Sequence, residues 1–149
     1  MWFDIPQNNS YKYHSLCIRN VSQPQRKRNI RALERIEETF IRKLLKTSRG
    51  CPIPQIYLET GHTPARFEIF RKRLLFLKDI LNENPESMIF KFIMIQYKNP
   101  TRGDWVSSCF KDLQYLNINL SIEEIQLMKK PEFRNFLKTS IEKKPSNIY

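Results

Sequence analysis

The sequence predicts an all-α protein: a compact multi-helix bundle of about five to six helices behind an irregular N-terminal arm. Three observations carry that expectation. Apolar residues recur at three- and four-residue spacing through most of the chain, which is the period of one helix face. Helix-starting devices stand at Ser22-Gln23-Pro24, Thr63-Pro64, Asn84-Pro85, Asp104, Ser121 and Pro131, each a capping side chain or a first-turn proline. The connections between these stretches are short, so neighbouring helices pack against one another.

Residues 1–22 keep no period and read as an arm, with a strand fragment around Leu16-Cys17-Ile18. A helical domain over residues 23–143 follows, and the tail 144–149 is expected to fray. The first long helix runs to about Thr47, with Ile30, Leu33, Ile36, Phe40, Ile41, Leu44 and Leu45 at helical spacing, and Arg49-Gly50-Cys51-Pro52 stops it. Ile53 to Thr60 makes a short helix or turn closed by Gly61. Thr63 then caps a helix that reaches about Glu83, with Pro64 in its first position. Asn84-Pro85 repeats that device and opens a helix to about Tyr97, and Asn99 to Gly103 is a turn. Asp104 caps the next helix, reaching Leu116, and Ser121-Ile122-Glu123-Glu124 is a capping box. Pro131 starts the last helix, with Phe133, Phe136, Leu137 and Ile141 on one face.

Lys and Arg number 26 against 15 Asp and Glu, a net charge of +11, and +7 of it falls within residues 1–50. Such an excess suits a polyanion, nucleic acid before membrane, although solubility alone also asks for surface charge. No stretch approaches the roughly 20 apolar residues of a membrane span, and Met1 to Pro6 lacks the pattern of a signal peptide. The three cysteines are odd in number and far apart, so no disulfide framework is expected and an intracellular setting, nuclear or cytoplasmic, is. With only His14 and His62, a zinc site of ordinary ligand spacing cannot be assembled, and no metal or cofactor is expected.

On a wheel at about 100° per residue, Arg28, Arg31, Arg35, Arg42, Lys46 and Arg49 converge on a stripe about 60° wide and about 30 Å long. A ridge of cations along one helix suits a phosphate backbone, whose counterions it releases. The competing reading is an ordinary solvated face. Glu37 falls among apolar neighbours on the same wheel. On the helix after Pro64, Arg66 and Arg73 project between two apolar stripes, Phe67-Phe70-Leu74-Leu77-Leu81 and Ile69-Phe76-Ile80. Buried ions need partners, so Glu37 is expected to pair with Arg66 or Arg73 and fix the register of the two helices. The alternative gives Arg66 and Arg73 to phosphate contact, with Arg71, Lys72 and Lys78 on the open face; Arg71 and Lys72 form a secondary basic patch. Trp105 and Tyr97 flank a basic turn that either stacks on bases or seals a helical hairpin.

Several pieces in order carry a family resemblance. They are Leu33-Glu34-Arg35-Ile36-Glu37-Glu38-Thr39-Phe40-Ile41-Arg42-Lys43-Leu44-Leu45 and Tyr57-Leu58-Glu59-Thr60-Gly61-His62-Thr63-Pro64-Ala65-Arg66-Phe67. Arg71-Lys72-Arg73-Leu74-Leu75-Phe76-Leu77, Gln96 to Trp105, and Met128-Lys129-Lys130-Pro131-Glu132-Phe133 complete them. From Leu33 to Lys143 the chain resembles the region after the polymerase core in reverse transcriptase-like proteins of non-long-terminal-repeat retrotransposons. Ala65 departs from the larger aliphatic common there, and residues 1–28 share nothing with it. The resemblance implies an element-derived piece whose parent handles RNA and DNA.

The parent's chemistry does not come with it. Polymerase catalysis needs clustered carboxylates around two metal ions, and the aspartates Asp4, Asp79, Asp104 and Asp112 include no adjacent pair. Nor is there a phosphate-cradling glycine loop or a Ser/His/Asp set. The expectation is a non-enzymatic helical protein that binds RNA or DNA through its basic helix face. The alternative is a helical interaction module that docks on a reverse transcriptase core, with no ligand of its own. An unbroken basic ridge over a closed core favours the first; an open apolar face with a broken ridge favours the second.

Overall fold

A computed structural model describes residues 23–143, which form seven helices and, among the described residues, no strand. They are α1 (Gln23–Leu45), α2 (Ile53–Thr60), α3 (Ala65–Leu81), α4 (Met88–Lys98), α5 (Trp105–Tyr115), α6 (Ile122–Leu127) and α7 (Lys130–Glu142). The all-α bundle is as the sequence predicts. The arm 1–22, its Leu16–Ile18 fragment and the tail 144–149 lie outside the described residues.

Helix α3 is the axis of the bundle, packed against α1, α4, α5, α6 and α7. That position explains its two apolar stripes: Phe67, Phe70, Leu74 and Leu77 are buried on one and Phe76 and Ile80 on the other. Around it close Ile93 of α4, Trp105 and Leu113 of α5, Ile125 of α6, and Phe133 and Leu137 of α7. A small second cluster joins Ile41 of α1 to Ile56 and Tyr57 of α2. Trp105 is buried edge-on against Phe76, and Tyr97 stacks on Phe110 with ring centroids 5.4 Å apart. The two rings beside the basic turn therefore seal the α4–α5 hairpin; they are not left open to stack on bases.

The helix ends follow local chemistry, with three departures from expectation. Gly61 closes α2 at φ 63°, a left-handed conformation that glycine reaches without a Cβ clash. Ser121 and Glu124 form the reciprocal capping box, Ser121 Oγ accepting from Glu124 N at 3.2 Å and Glu124 Oε2 from Ser121 N at 2.7 Å. Helix α1 ends at Leu45 rather than Thr47, because Lys46 turns left-handed (φ 52°) and Thr47 N donates to Arg42 O. Asn84-Pro85 does not start α4: Asn84 Oδ1 turns back to Glu86 N, and Ser87 supplies the cap. Thr63 does not cap α3 either, since its N-cap residue is Pro64, which offers no side-chain acceptor.

Asp104 caps α5 as expected, its carboxylate accepting from Ser107 N and Thr101 N, both at 2.6 Å. Burial pushes this carboxyl up, but the amide donors of Ser107 and Thr101 outweigh it and hold the pKa below the usual aspartate value. A depressed folded-state pKa contributes stability above the unfolded value, and that stability is lost as pH falls through the folded one. Asp104→Ala is therefore expected to lower stability at pH 7 by about 1–2 kcal/mol. The gap from the parent protein should narrow below about pH 4. Urea titrations at pH 7 and at acid pH check it, and an equal gap at both would count against the ionised cap.

Candidate docking face

Helix α1 turns three different faces outward and inward. Ile30, Glu34, Glu37 and Ile41 lie within about 60° of one another on the wheel, and these residues meet the rest of the fold. Glu34 and Ile41 are buried, and Ile30 is half-buried against the main core. The apolar set Leu33, Ile36, Phe40 and Leu44 is centred roughly 90° away and stays open. These four are 49, 67, 65 and 69% exposed. The sector that looked like the core side of α1 is therefore unpartnered among the described residues. Two glutamates and two isoleucines take its place at the contact.

This rotation has a physical cause in the two acids. Arg66 Nε and Nη2 grip the Glu34 carboxylate as a fork, the second contact at 2.7 Å, while Arg66 Nη1 donates to Tyr115 Oη at 3.0 Å. The side-chain hydrogen bonds to Glu34 hold Arg66 more firmly protonated than a free arginine, against the opposing effect of burial. Glu37 accepts from Tyr57 Oη at 2.9 Å and from Ala65 N at 3.0 Å, with His62 Nε2 2.7 Å from its other oxygen. A carboxylate on α1 thus serves the bare N-terminus of α3, where Pro64 supplies no cap and the helix dipole favours negative charge.

The predicted pairing of Glu37 with Arg66 or Arg73 is accordingly corrected. Arg66 takes Glu34, one turn before Glu37, and Arg73 takes Asp112 of α5 at 2.5 Å in the buried core. All three charges are partnered, as burial requires, but with other residues. Lys78, expected on the open face, is also buried: its ammonium donates to Gln126 O at 2.8 Å and Asn82 Oδ1 at 3.0 Å. It closes the carbonyl end of α6, and burial lowers its pKa.

The predicted cationic ridge is shorter than the wheel implied. Arg28, Arg31 and Arg35 are exposed along α1. Arg42 is half-buried and donates to Ser48 O and Cys51 O, both at 2.8 Å, so it ties down the loop after α1. Lys46 and Arg49 lie beyond the helix end, where its period no longer aligns them. In the secondary patch, Arg71 is tied to Glu68 one turn back at 2.7 Å, while Lys72 is exposed. Among the described residues no three His, Cys, Asp or Glu gather as a metal site, and no helix is long and apolar enough to cross a membrane.

Glu34, Tyr57, His62, Asp112 and Tyr115 carry contacts that the sequence reading did not anticipate. One signal was present for the first of them. Ile30, Glu34, Glu37 and Ile41 follow a 4-3-4 spacing, a continuous helix face with its acids in line. Hydrophobicity alone favoured the neighbouring sector. Helix α4 leaves a smaller open stripe, Met88, Phe92 and Ile95. Comparison of the chain with protein-family models, with curated proteins and with solved structures finds no match.

Proposed function

We propose that this chain is a non-catalytic docking module whose α1 seats on a protein partner. The observation that carries the reading is the open Leu33–Ile36–Phe40–Leu44 face. Each large apolar side chain so placed contributes about 1.5–3 kcal/mol once covered. Charge selects the occupant. Glu34 and Glu37 are turned inward, and Glu38 is half-buried, its pKa raised by burial and then by Glu34. Lys27, Arg28, Arg31, Arg35 and Lys43 are exposed on the same helix. A second copy would bring two helices of net positive charge together, whereas an apolar groove set in an acidic protein surface complements that net charge, of which Lys43 lies beside the open face. Given the resemblance of residues 33–143, the partner we propose is the polymerase core that precedes such a region.

A helical peptide with leucines on one face and glutamates flanking them imitates that acidic surface, and the same peptide with lysines in place of the glutamates is its control. Fluorescence anisotropy should show binding of the acidic peptide and at least about tenfold weaker binding of the basic one. Phe40→Glu with Leu44→Glu should abolish it at a stability change within about 0.5 kcal/mol, since both sites are exposed. Phe92→Glu on α4 should leave it intact. Failure of both peptides, or a homodimer dissolved by the double variant, would overturn the reading.

The nucleic-acid alternative keeps Arg28, Arg31 and Arg35 as its support. Three neutralised phosphates correspond to a slope of log affinity against log salt near about −3 on duplex DNA, shallower than six cations would give. Tight duplex binding with a slope of that size, removed by Arg28→Glu and Arg35→Glu, would favour RNA or DNA over a protein partner.

A further inference from the structure

A second concave surface lies on another side of α1, roughly 130° round the helix from the open apolar face. Here α1, α3 and α5 enclose a cleft of about 640 Å³ lined by Lys27, Ile30, Arg31, Arg66, Phe70, Lys111, Asp112 and Tyr115. The volume lies within the range of roughly 300–1,000 Å³ typical of small-molecule sites. Phe70 and Tyr115 meet edge to face at 5.5 Å and, with Ile30, form an aromatic and aliphatic floor. Lys27 and Arg31, one turn apart on α1, face Lys111 of α5 around it.

The charges on this surface do not cancel. Asp112 is engaged by Arg73 at 2.5 Å, and Glu34 by Arg66. Among the described residues Lys27, Arg31 and Lys111 pair with no carboxylate, and all three are exposed. Three like charges lining one cleft make it a positive surface that favours an anion. A bare oxyanion would make no use of the apolar lining, and an apolar ligand would leave the cations unanswered.

We propose that the cleft between α1, α3 and α5 binds an aromatic polyphosphate, the chemistry of a nucleoside di- or triphosphate. The phosphates lie against Lys27, Arg31 and Lys111, and the planar ring lies against the exposed part of Tyr115, which the buried Phe70 backs edge to face. Arg66 is a positioning residue: its fork on Glu34 and its bond to Tyr115 Oη hold the ring and α1 in place. The cleft lies on a different side of α1 from the docking face, and shares with it only the net positive charge to which Lys27 and Arg31 contribute.

Isothermal titration of the full chain with ATP and with inorganic tripolyphosphate separates the two parts of the site, because the probes carry similar charge and only one carries a ring. ATP should bind at least about tenfold tighter than tripolyphosphate, and Tyr115→Leu should erase most of that difference. Lys27→Glu with Arg31→Glu and Lys111→Glu should weaken ATP by at least about a hundredfold. Lys138→Glu, exposed on α7, should not change it. The proposal is overturned if ATP and tripolyphosphate bind equally, or if the triple variant and Lys138→Glu behave alike. It is also overturned if a single-stranded oligonucleotide binds far tighter than ATP and ignores the cleft variants.

Discussion

Arg73→Met should destabilise the protein by about 3–5 kcal/mol, the largest loss expected from any single polar substitution in it. Arg73 sits in the middle of α3, its side chain 5% exposed, and meets an Asp112 side chain 4% exposed on α5. Attraction between the two ions does not by itself make the pair a strong net stabiliser, since both gave up hydration to reach the core. The large effect arises from asymmetry: methionine fills much of the space of arginine but takes the Arg73 guanidinium away from the buried Asp112 carboxylate. Asp112→Leu added to Arg73→Met should then recover most of the loss, because an apolar pair needs no hydration replaced. Urea unfolding of the two single variants and the double variant gives the coupling directly. Additive losses would mean that the pair is not the reason Arg73 is there.

The same pair shows how far the sequence could be read. Arg66 and Arg73 stand where α3 is otherwise apolar, and from that alone each had to meet an acid. The acids are Glu34 and Asp112, on opposite sides of Arg66 and Arg73 in the sequence. No spacing rule connects them, because their meeting depends on how far each helix is rotated and shifted against α3. Local devices were more legible. Asp104, Ser121-Glu124 and Gly61 end or begin helices through bonds within three or four residues, so their chemistry is complete in the sequence. Thr63 and Asn84 misled for a related reason. Each was a competent cap, but Glu37 from another helix reached the first amide of α3, and Ser87 stood three residues nearer to the true start of α4. The exposed face of α1 was the least legible feature. Periodicity identifies an apolar stripe; it does not say whether anything in the same chain covers it.

Glu34→Ala combined with Glu37→Ala should release α1 and α2 while α3 to α7 stay folded. Apolar contact between α1 and the rest is thin: Ile30 is half-buried on the main core, and Ile41 belongs to the small cluster with Ile56 and Tyr57. What holds α1 at its observed rotation is the Arg66 fork on Glu34 and the convergence of Tyr57, His62 and Ala65 on Glu37. Hydrogen bonds to a charged partner contribute about 1.5–3 kcal/mol each when shielded. The His62 contact is discounted, since its ring is 48% exposed and water screens it. A combined loss of about 3 kcal/mol corresponds to amide exchange about a hundredfold faster across α1 and α2. Amides of α3 and α7 around Leu74 and Leu137, whose side chains are fully buried, should keep their protection. Glu37→Gln retains an acceptor for Ala65 N and should loosen α1 less than Glu37→Ala does. Equal loss of protection in α1, α3 and α7 would make the bundle one cooperative unit. Unchanged protection in α1 would mean that apolar packing, not the two carboxylates, holds it. If the carboxylates do hold it, the rotation that leaves Leu33, Ile36, Phe40 and Leu44 open is itself set by charge: the acids of α1 are committed to α3, and its apolar side is left for another surface.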